Sequence, residues 1–244
     1  MVERADRASV ASFHAPGPWD GVVELGESPA RHAMVKRLSA GDPVRLSSGD
    51  GRRASGVISD VGKRHLRIAL APESLESIPA PAYVELWAPV GDRERMLLLA
   101  EKAVELGVSA WRPIVYRRSR SVSPRGEGEA FREKVRLRMI GALEQSGGAW
   151  LPELHVEMEL ERALEASTRI AGVLLDPGGE PLISLRDALR PPVAIALGPE
   201  GGLEVDECAR FAEAGWRSAS IGANVLRFET AGIAALALVR SLIP

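Results

Sequence analysis

From Tyr83 onward, short runs of consecutive apolar residues alternate with stretches whose apolar side chains recur at helical spacing. That alternation constrains the fold more than any other feature of the chain. Tyr83–Val90 predicts a buried strand, Arg93–Leu106 a helix ended by Gly107, Val108–Val115 a second strand and Phe131–Ser146 a second helix. Ile170–Leu175, Val193–Leu197 and Ser218–Ile221 predict three further strands. Val205–Ala214 predicts a helix capped by Gly215, and Thr230–Leu242 a closing helix rich in Ala and Leu. Apolar strands interleaved with helices imply a parallel sheet covered on both faces, so the expected class is α/β.

The first 78 residues follow another pattern. Short runs at Val44–Leu46, Ala54–Ser59 and His65–Leu70 are separated by the turn clusters Ala40-Gly41-Asp42-Pro43, Ser48-Gly49-Asp50-Gly51 and Asp60-Val61-Gly62-Lys63. This predicts a small β-barrel or sandwich, interrupted by one helix over Pro29–Leu38. The Pro- and Ser-rich segment Ala71–Pro81 reads as a linker. Two domains are expected, 1–78 and 79–244.

Hydrophobic residues make up 45% of the 244, enough for a packed core and against wholesale disorder. One cysteine, Cys208, excludes an internal disulfide framework and a paired-cysteine zinc or redox site. No apolar run approaches the ~20 residues of a membrane helix. The charged start, MVERADRASVASFH, lacks the apolar stretch of a secretory signal. A cytoplasmic protein with no membrane partner is expected. His14, His32, His65 and His155 are scattered at spacings that suit no metal ion, and none is expected.

Charge is distributed unevenly. Residues 112–138 hold nine basic and three acidic side chains, whereas 139–244 hold eight and fifteen. The basic stretch comprises Arg112, Arg117, Arg118, Arg120, Arg125, Arg132, Lys134, Arg136 and Arg138. It has the make-up either of a phosphate-binding footprint or of a solvated loop and helix face.

Three loops follow predicted strands: Asp176-Pro177-Gly178-Gly179 after Leu175, Gly198-Pro199-Glu200-Gly201-Gly202 after Leu197, and Gly222–Arg227 after Ile221. Ligands in open α/β sheets bind at the carboxyl ends of strands, and paired glycines let backbone groups approach a ligand closely. An ordinary tight turn is the alternative for each. None has the Lys-Ser/Thr of a P-loop or the GxGxxG dinucleotide fingerprint, which disfavours nucleoside triphosphates and ordinary Rossmann cofactors.

LGPEGGLEVDECARFAEAGW (197–216), followed by SIGANVLRFETAGIAAL (220–236), resembles the C-terminal signature of the bacterial 16S rRNA (uracil-N3)-methyltransferases, a family of the SPOUT superfamily. EKAVELGV (101–108), EQSG (144–147) and VKRLSAGD (35–42) extend the resemblance over nearly the whole chain. The resemblance implies a trefoil-knotted parallel sheet in the C-terminal domain and a PUA-like β-barrel at the N-terminus. It implies S-adenosyl-L-methionine as cofactor, 16S rRNA or the small ribosomal subunit as substrate, and a homodimer. Carried over residue by residue, Leu197, Gly198, Glu200, Gly201 and Gly202 form one wall of the cofactor site, Leu175 and Asp176 a second, and Ile221, Gly222 and Leu226 a third. Three departures stand out: Asn224 replaces a usual Arg, Gly148-Ala149-Trp150 replaces usual arginines, and Leu97-Leu98 replaces a usual Asp-Trp. They fall on the substrate side more than on the cofactor loops.

Methyl transfer requires the nucleophile and the methyl group in near-attack geometry. Ring nitrogen 3 of uracil becomes nucleophilic once its proton leaves, so a cation that stabilises the anion, or a general base, would assist. Arg227 is assigned the cation role and contact with RNA. Glu229 is either the base or a structural carboxylate holding Arg227 or a helix N-terminus. Lys36, Arg37, Arg117, Arg118 and Arg120 are expected to position RNA through its phosphates. Other readings are a related methyltransferase acting on another RNA or on a ribose hydroxyl, a non-catalytic RNA-binding relative, and a plain α/β metabolite-binding protein.

Overall fold

Burial alternates with period two along Val22–Leu25 and through the middle of Arg52–Val61, which lets each strand put one face into a core. The computed structural model describes residues 10–121, 124–167 and 170–243, leaving out the side chains of Arg120 and Ser121. Residues 10–80 with Leu143–Leu151 make one unit, and residues 81–142 with 152–243 the other.

The first unit contains β1 (Ala11–His14), β2 (Val22–Leu25), α1 (Glu27–Val35), β3 (Pro43–Ser47), β4 (Arg52–Val61), β5 (Leu66–Leu70) and β6 (Glu76–Ser77). The strand order is β1-β3-β4-β5-β2, with β6 on β4, and β1–β3 is the parallel pair. Phe13, Leu46, Ile58, Leu66 and Ile68 fill the core beneath it. Ala71–Pro81, expected as a free linker, instead supplies a 3-10 turn at Pro72–Ser74 and the strand β6. Leu143–Leu151 is tied in by backbone: Gly51 N–H donates to Ala149 O at 2.9 Å and Leu151 N–H to Gly49 O at 2.8 Å. Helix α1 stops in a left-handed turn. Arg37 has φ of +57°, and the N–H of Leu38 reaches back to Ala33 O at 2.9 Å.

The second unit contains β7 (Val84–Pro89), α2 (Arg93–Glu105), β8 (Ala110–Val115), α3 (Glu129–Ser146, except its last turn from Leu143, which belongs to the first unit), β9 (Glu153–Leu154), β10 (Met158–Glu159), α4 (Leu160–Ala166), β11 (Ala171–Pro181), β12 (Val193–Ala196), α5 (Val205–Glu213), β13 (Arg217–Ser220) and α6 (Phe228–Leu242). Its sheet runs β10-β8-β7-β12-β11-β13, with β9 also on β8, and every pairing is parallel. This is the expected α/β architecture of a parallel sheet with helices. All of β7 and β12 is buried, which explains why these strands read as continuous apolar runs rather than alternating ones. Trp87, Phe211 and Trp216 pack together in the core, Trp87 and Trp216 with ring centroids 4.5 Å apart.

Two local expectations are corrected. Asp176–Gly179 is not a loop after a strand but an irregularity inside β11, where pairing with β13 shifts between Leu175 and Glu180. A Cβ on Gly179 would stand 2.5 Å from Ala219 N, so glycine permits that close approach. Arg112 is not on the surface: it is buried in β8 and ion-paired with Glu85 of β7, which is 1% exposed. Among the described residues no helix is long and apolar enough to cross a membrane.

Candidate functional site

Strand β12 ends at Ala196, β13 at Ser220, and β11 breaks its pairing after Leu175, so three stretches of backbone leave the sheet close together. They enclose a cavity of about 570 Å3, within the range of ~300–1,000 Å3 typical of small-molecule sites. Leu175, Asp176 and Pro177 line it from β11, Leu197–Glu200 with Gly202 and Leu203 from beyond β12, and Ala219–Gly222 from β13. Asn224–Phe228 and Ala231 close it with the start of α6, Arg95 lines it from α2, and Cys208 from α5.

Nine of the ten residues expected in a cofactor wall line this cavity: Leu175, Asp176, Leu197, Gly198, Glu200, Gly202, Ile221, Gly222 and Leu226. Gly201 does not. The space over its Cα is taken by Arg118, whose Cβ would lie 3.1 Å from an added Cβ. Gly202 adopts φ of +75°, a left-handed conformation that glycine takes without strain. Asp176 accepts from Gly178 N–H at 2.7 Å. Burial, with Asp176 next in effect, raises the pKa of the Cys208 thiol above its ordinary value.

Arg227 stands at the N-cap of α6, exposed on the cavity wall and, among the described residues, without an acidic partner. Glu229, two residues on, is 7% exposed and is not part of the wall. It does not hold Arg227. Its Oε1 is 3.9 Å from Nε of Arg95, while Oε2 is buried without a donor. Glu200 Oε1 lies 3.5 Å from Nη1 of Arg95 and accepts from Asp92 N–H at 3.4 Å. Asp92 caps α2, its carboxylate accepting from Arg95 N–H at 3.1 Å.

The basic residues are used differently from expectation. Arg117 is ion-paired with Asp206 (Nη1 to Oδ1 2.9 Å), and its N–H donates to Glu207 at 3.0 Å. Arg118 donates to Glu204 at 2.9 Å and to the carbonyl of Gly201 at 2.6 Å. The guanidinium of Arg118 thus ties the glycine-rich loop to the residue that caps α5, and that of Arg117 holds the first turn of α5, while both side chains stay partly exposed. The side chain of Arg120 lies outside the described residues. Lys36 and Arg37 are exposed at the end of α1, and Lys134 and Arg136 are exposed on α3 without acidic partners among the described residues. Among the described residues no three His, Cys, Asp or Glu side chains gather to hold a metal ion.

Sequence reasoning missed Arg95 and Cys208. Arg95 lies 105 positions before Glu200, outside any stretch that marks a site by itself, whereas Cys208 falls within LGPEGGLEVDECARFAEAGW and is weighed from the sequence only for disulfide and paired-cysteine chemistry.

The profile of the RNA methyltransferase domain family matches residues 79–240. Ribosomal RNA small subunit methyltransferase E of Rickettsia conorii is 28% identical over 228 residues, spanning 90% of this chain and 90% of that protein. The protein of the same name from Bacillus subtilis is 26% identical, spanning 88% and 87%. A crystal structure of ribosomal RNA small subunit methyltransferase E from Neisseria gonorrhoeae bound to S-adenosyl methionine superposes with a TM-score of 0.85. It covers 96% of this chain and 98% of that one at 24% identity.

Proposed function

The chain belongs to the RNA methyltransferase domain family, and from that premise we propose that it is an S-adenosylmethionine-dependent enzyme that methylates N3 of a uridine in 16S rRNA of the small ribosomal subunit. The observation that carries this reading is the meeting of nine expected wall residues around one cavity, with Arg227 on its rim. Similarity to ribosomal RNA small subunit methyltransferases E along most of the chain supports the substrate, and the cofactor in the Neisseria structure supports S-adenosylmethionine.

The residues present suit that cofactor. Leu175, Leu197, Leu203, Ile221 and Leu226 offer apolar surface for a purine, and Asp176 with the glycine-rich backbone offers partners for hydroxyl and amino groups. When bound, the cofactor supplies a methyl group activated by its sulfonium. The walls then hold the reacting centres together. Arg227, exposed on the rim, grips the RNA and stabilises the negative charge that forms on the base as N3 loses its proton. Glu229 is kept out of the wall by burial in the first turn of α6, so we assign it to positioning Arg95 rather than to accepting the proton.

Lys36 and Arg37, and Lys134 and Arg136, are the exposed cations we assign to phosphate contacts. We further assign a PUA-like barrel to the first unit, which its mainly antiparallel six-stranded sheet supports, and a trefoil knot to the second, which its all-parallel order and the family support. We assign a homodimer from the family likeness. A cytoplasmic enzyme follows from the ribosomal substrate.

The test is transfer of labelled methyl from S-adenosylmethionine to small subunits purified from a strain lacking this protein, followed by mapping of the modified base. Label at N3 of one uridine is the expected result. Label at a ribose hydroxyl or on another RNA would move the chain to a neighbouring activity. Absence of both label and cofactor binding would sink the enzyme reading.

A further inference from the structure

Resting on the methyltransferase reading above, we infer that Arg95 is a second catalytic cation, donating from its guanidinium to a carbonyl oxygen of the target uracil. In the reaction the N3–H bond breaks and its proton passes to water in the site. The N3–C bond forms as the methyl–sulfur bond breaks, with that electron pair remaining on sulfur. Before the methyl group arrives, negative charge collects on the ring carbonyls, and Arg95 is placed to meet it.

Position is the first argument. Arg95 stands in the first turn of α2 and lines the cavity together with Arg227 and Phe228 at the start of α6. Restraint is the second. Its Nη1 lies 3.5 Å from Glu200 and its Nε 3.9 Å from Glu229, both longer than the ~2.7–2.9 Å of a full charge-assisted hydrogen bond. Carboxylates on two different elements therefore hold the side chain in place without saturating its N–H groups, the preorganisation that transition-state stabilisation requires.

Charge is the third argument, and it selects the ligand. The carboxylates facing the Arg95 guanidinium are Glu200 from the loop after β12 and Glu229 from α6, where Oε2 is buried without a donor, while Asp92 at the head of the helix accepts from the backbone N–H of Arg95. A fully charged phosphate or carboxylate would bring a further negative charge against this acidic surround. A neutral carbonyl meets no such opposition in the ground state and gains the interaction only as it becomes anionic, which favours rate over binding. Arg227, with no acidic partner among the described residues, is open to a phosphate as well as to the charge on the base. The planar fork of Arg95 also matches the in-plane acceptors of a pyrimidine.

The experiment is single-turnover methyl transfer to unmodified small subunits across a range of pH, for wild type, R95Q and R95K, with cofactor affinity measured by calorimetry. R95Q is expected to slow transfer by about 10²–10³-fold, the usual loss for one oxyanion donor, while cofactor affinity stays within about threefold. Its rate should keep rising with pH beyond the point where wild type levels off, because the base must then ionise unaided. R95K, which keeps the charge but not the fork, should fall between the two and guards against misfolding of R95Q. R95Q with the wild-type rate and pH profile would overturn the inference. So would a loss of cofactor affinity equal to the loss of rate, which would place Arg95 on the cofactor's carboxylate. Wild-type protein that transfers no methyl group overturns this inference and the function together.

Discussion

Gly172 of β11 lies directly against the indole of Trp216: a Cβ at position 172 would stand 2.5 Å from Cε2 and 2.6 Å from Cγ of that ring. Trp216 cannot easily retreat. Its ring centroid is 4.5 Å from that of Trp87 and 5.0 Å from that of Phe211, both fully buried. Gly172→Ala should therefore overpack the sheet at a cost of about 1–3 kcal/mol. At roughly 2–4 °C per kcal/mol for a chain of this size, the melting temperature should fall by about 3–10 °C. A thermal melt checks it, and an unchanged or higher midpoint would mean that the ring has room to move.

Arg227→Ala separates catalysis from cofactor binding. The side chain is exposed on the cavity rim with no partner among the described residues, so its loss should leave the fold and the apolar walls intact. Methyl transfer is expected to drop by about 10²-fold or more, with S-adenosylmethionine affinity within about threefold of wild type. Equal losses in both, measured by single-turnover transfer and calorimetry, would place Arg227 in the cofactor site.

Much of this arrangement was legible from local pattern. Buried strands such as Val193–Ala196 announce themselves as apolar runs, and α6 follows the Ala/Leu-rich stretch that predicts it, beginning two residues earlier at Phe228. Relations between distant residues were not legible. Charge arithmetic counts Arg112 as surface, yet its partner Glu85 sits on the neighbouring strand, and Arg117 and Arg118 meet Asp206 and Glu204 almost ninety positions away. Strand β1 pairs in parallel with β3, which no turn signal marks. Gly148, Ala149 and Trp150 read as departures on the substrate side, but Ala149 and Trp150 bond to Gly51 and Ile78 of the first unit. Gly201 and Gly202 look equivalent as letters; only the path of the backbone decides which of them faces the cavity.

Arg37 sets stability against function. As a non-glycine residue at φ +57° closing α1, it bears a backbone penalty that glycine would relieve. Arg37→Gly should stabilise the protein by about 1 kcal/mol in denaturant unfolding. The same change removes an exposed cation assigned to RNA, so affinity for the small subunit should fall, and the salt dependence of binding should flatten by about one ion's worth. A stabilised variant with unchanged RNA affinity would free Arg37 of that role.

The burial of His155 beside Arg112 makes stability depend on pH. That imidazole lies 3.3 Å from Nη2 of Arg112. Burial, and secondly the guanidinium, hold its pKa below the ordinary value, while Glu153 and Glu85 pull weakly the other way. The folded state thus resists protonation that the unfolded chain accepts near pH 6.5. Below that point the unfolded state binds more protons, and linkage makes stability fall as pH falls, whereas above it the contribution is constant. His32 shifts in the same direction, mainly through burial, and Glu144 in the opposite one, its carboxyl raised by burial. The bulk curve therefore mixes signs, and the informative quantity is the difference between wild type and His155→Asn. Denaturant midpoints taken from about pH 8 to about pH 5 should converge, wild type losing its margin over the variant as acidity rises. A constant margin would show that His155 titrates alike in both states and that its contact with Arg112 is electrostatically neutral.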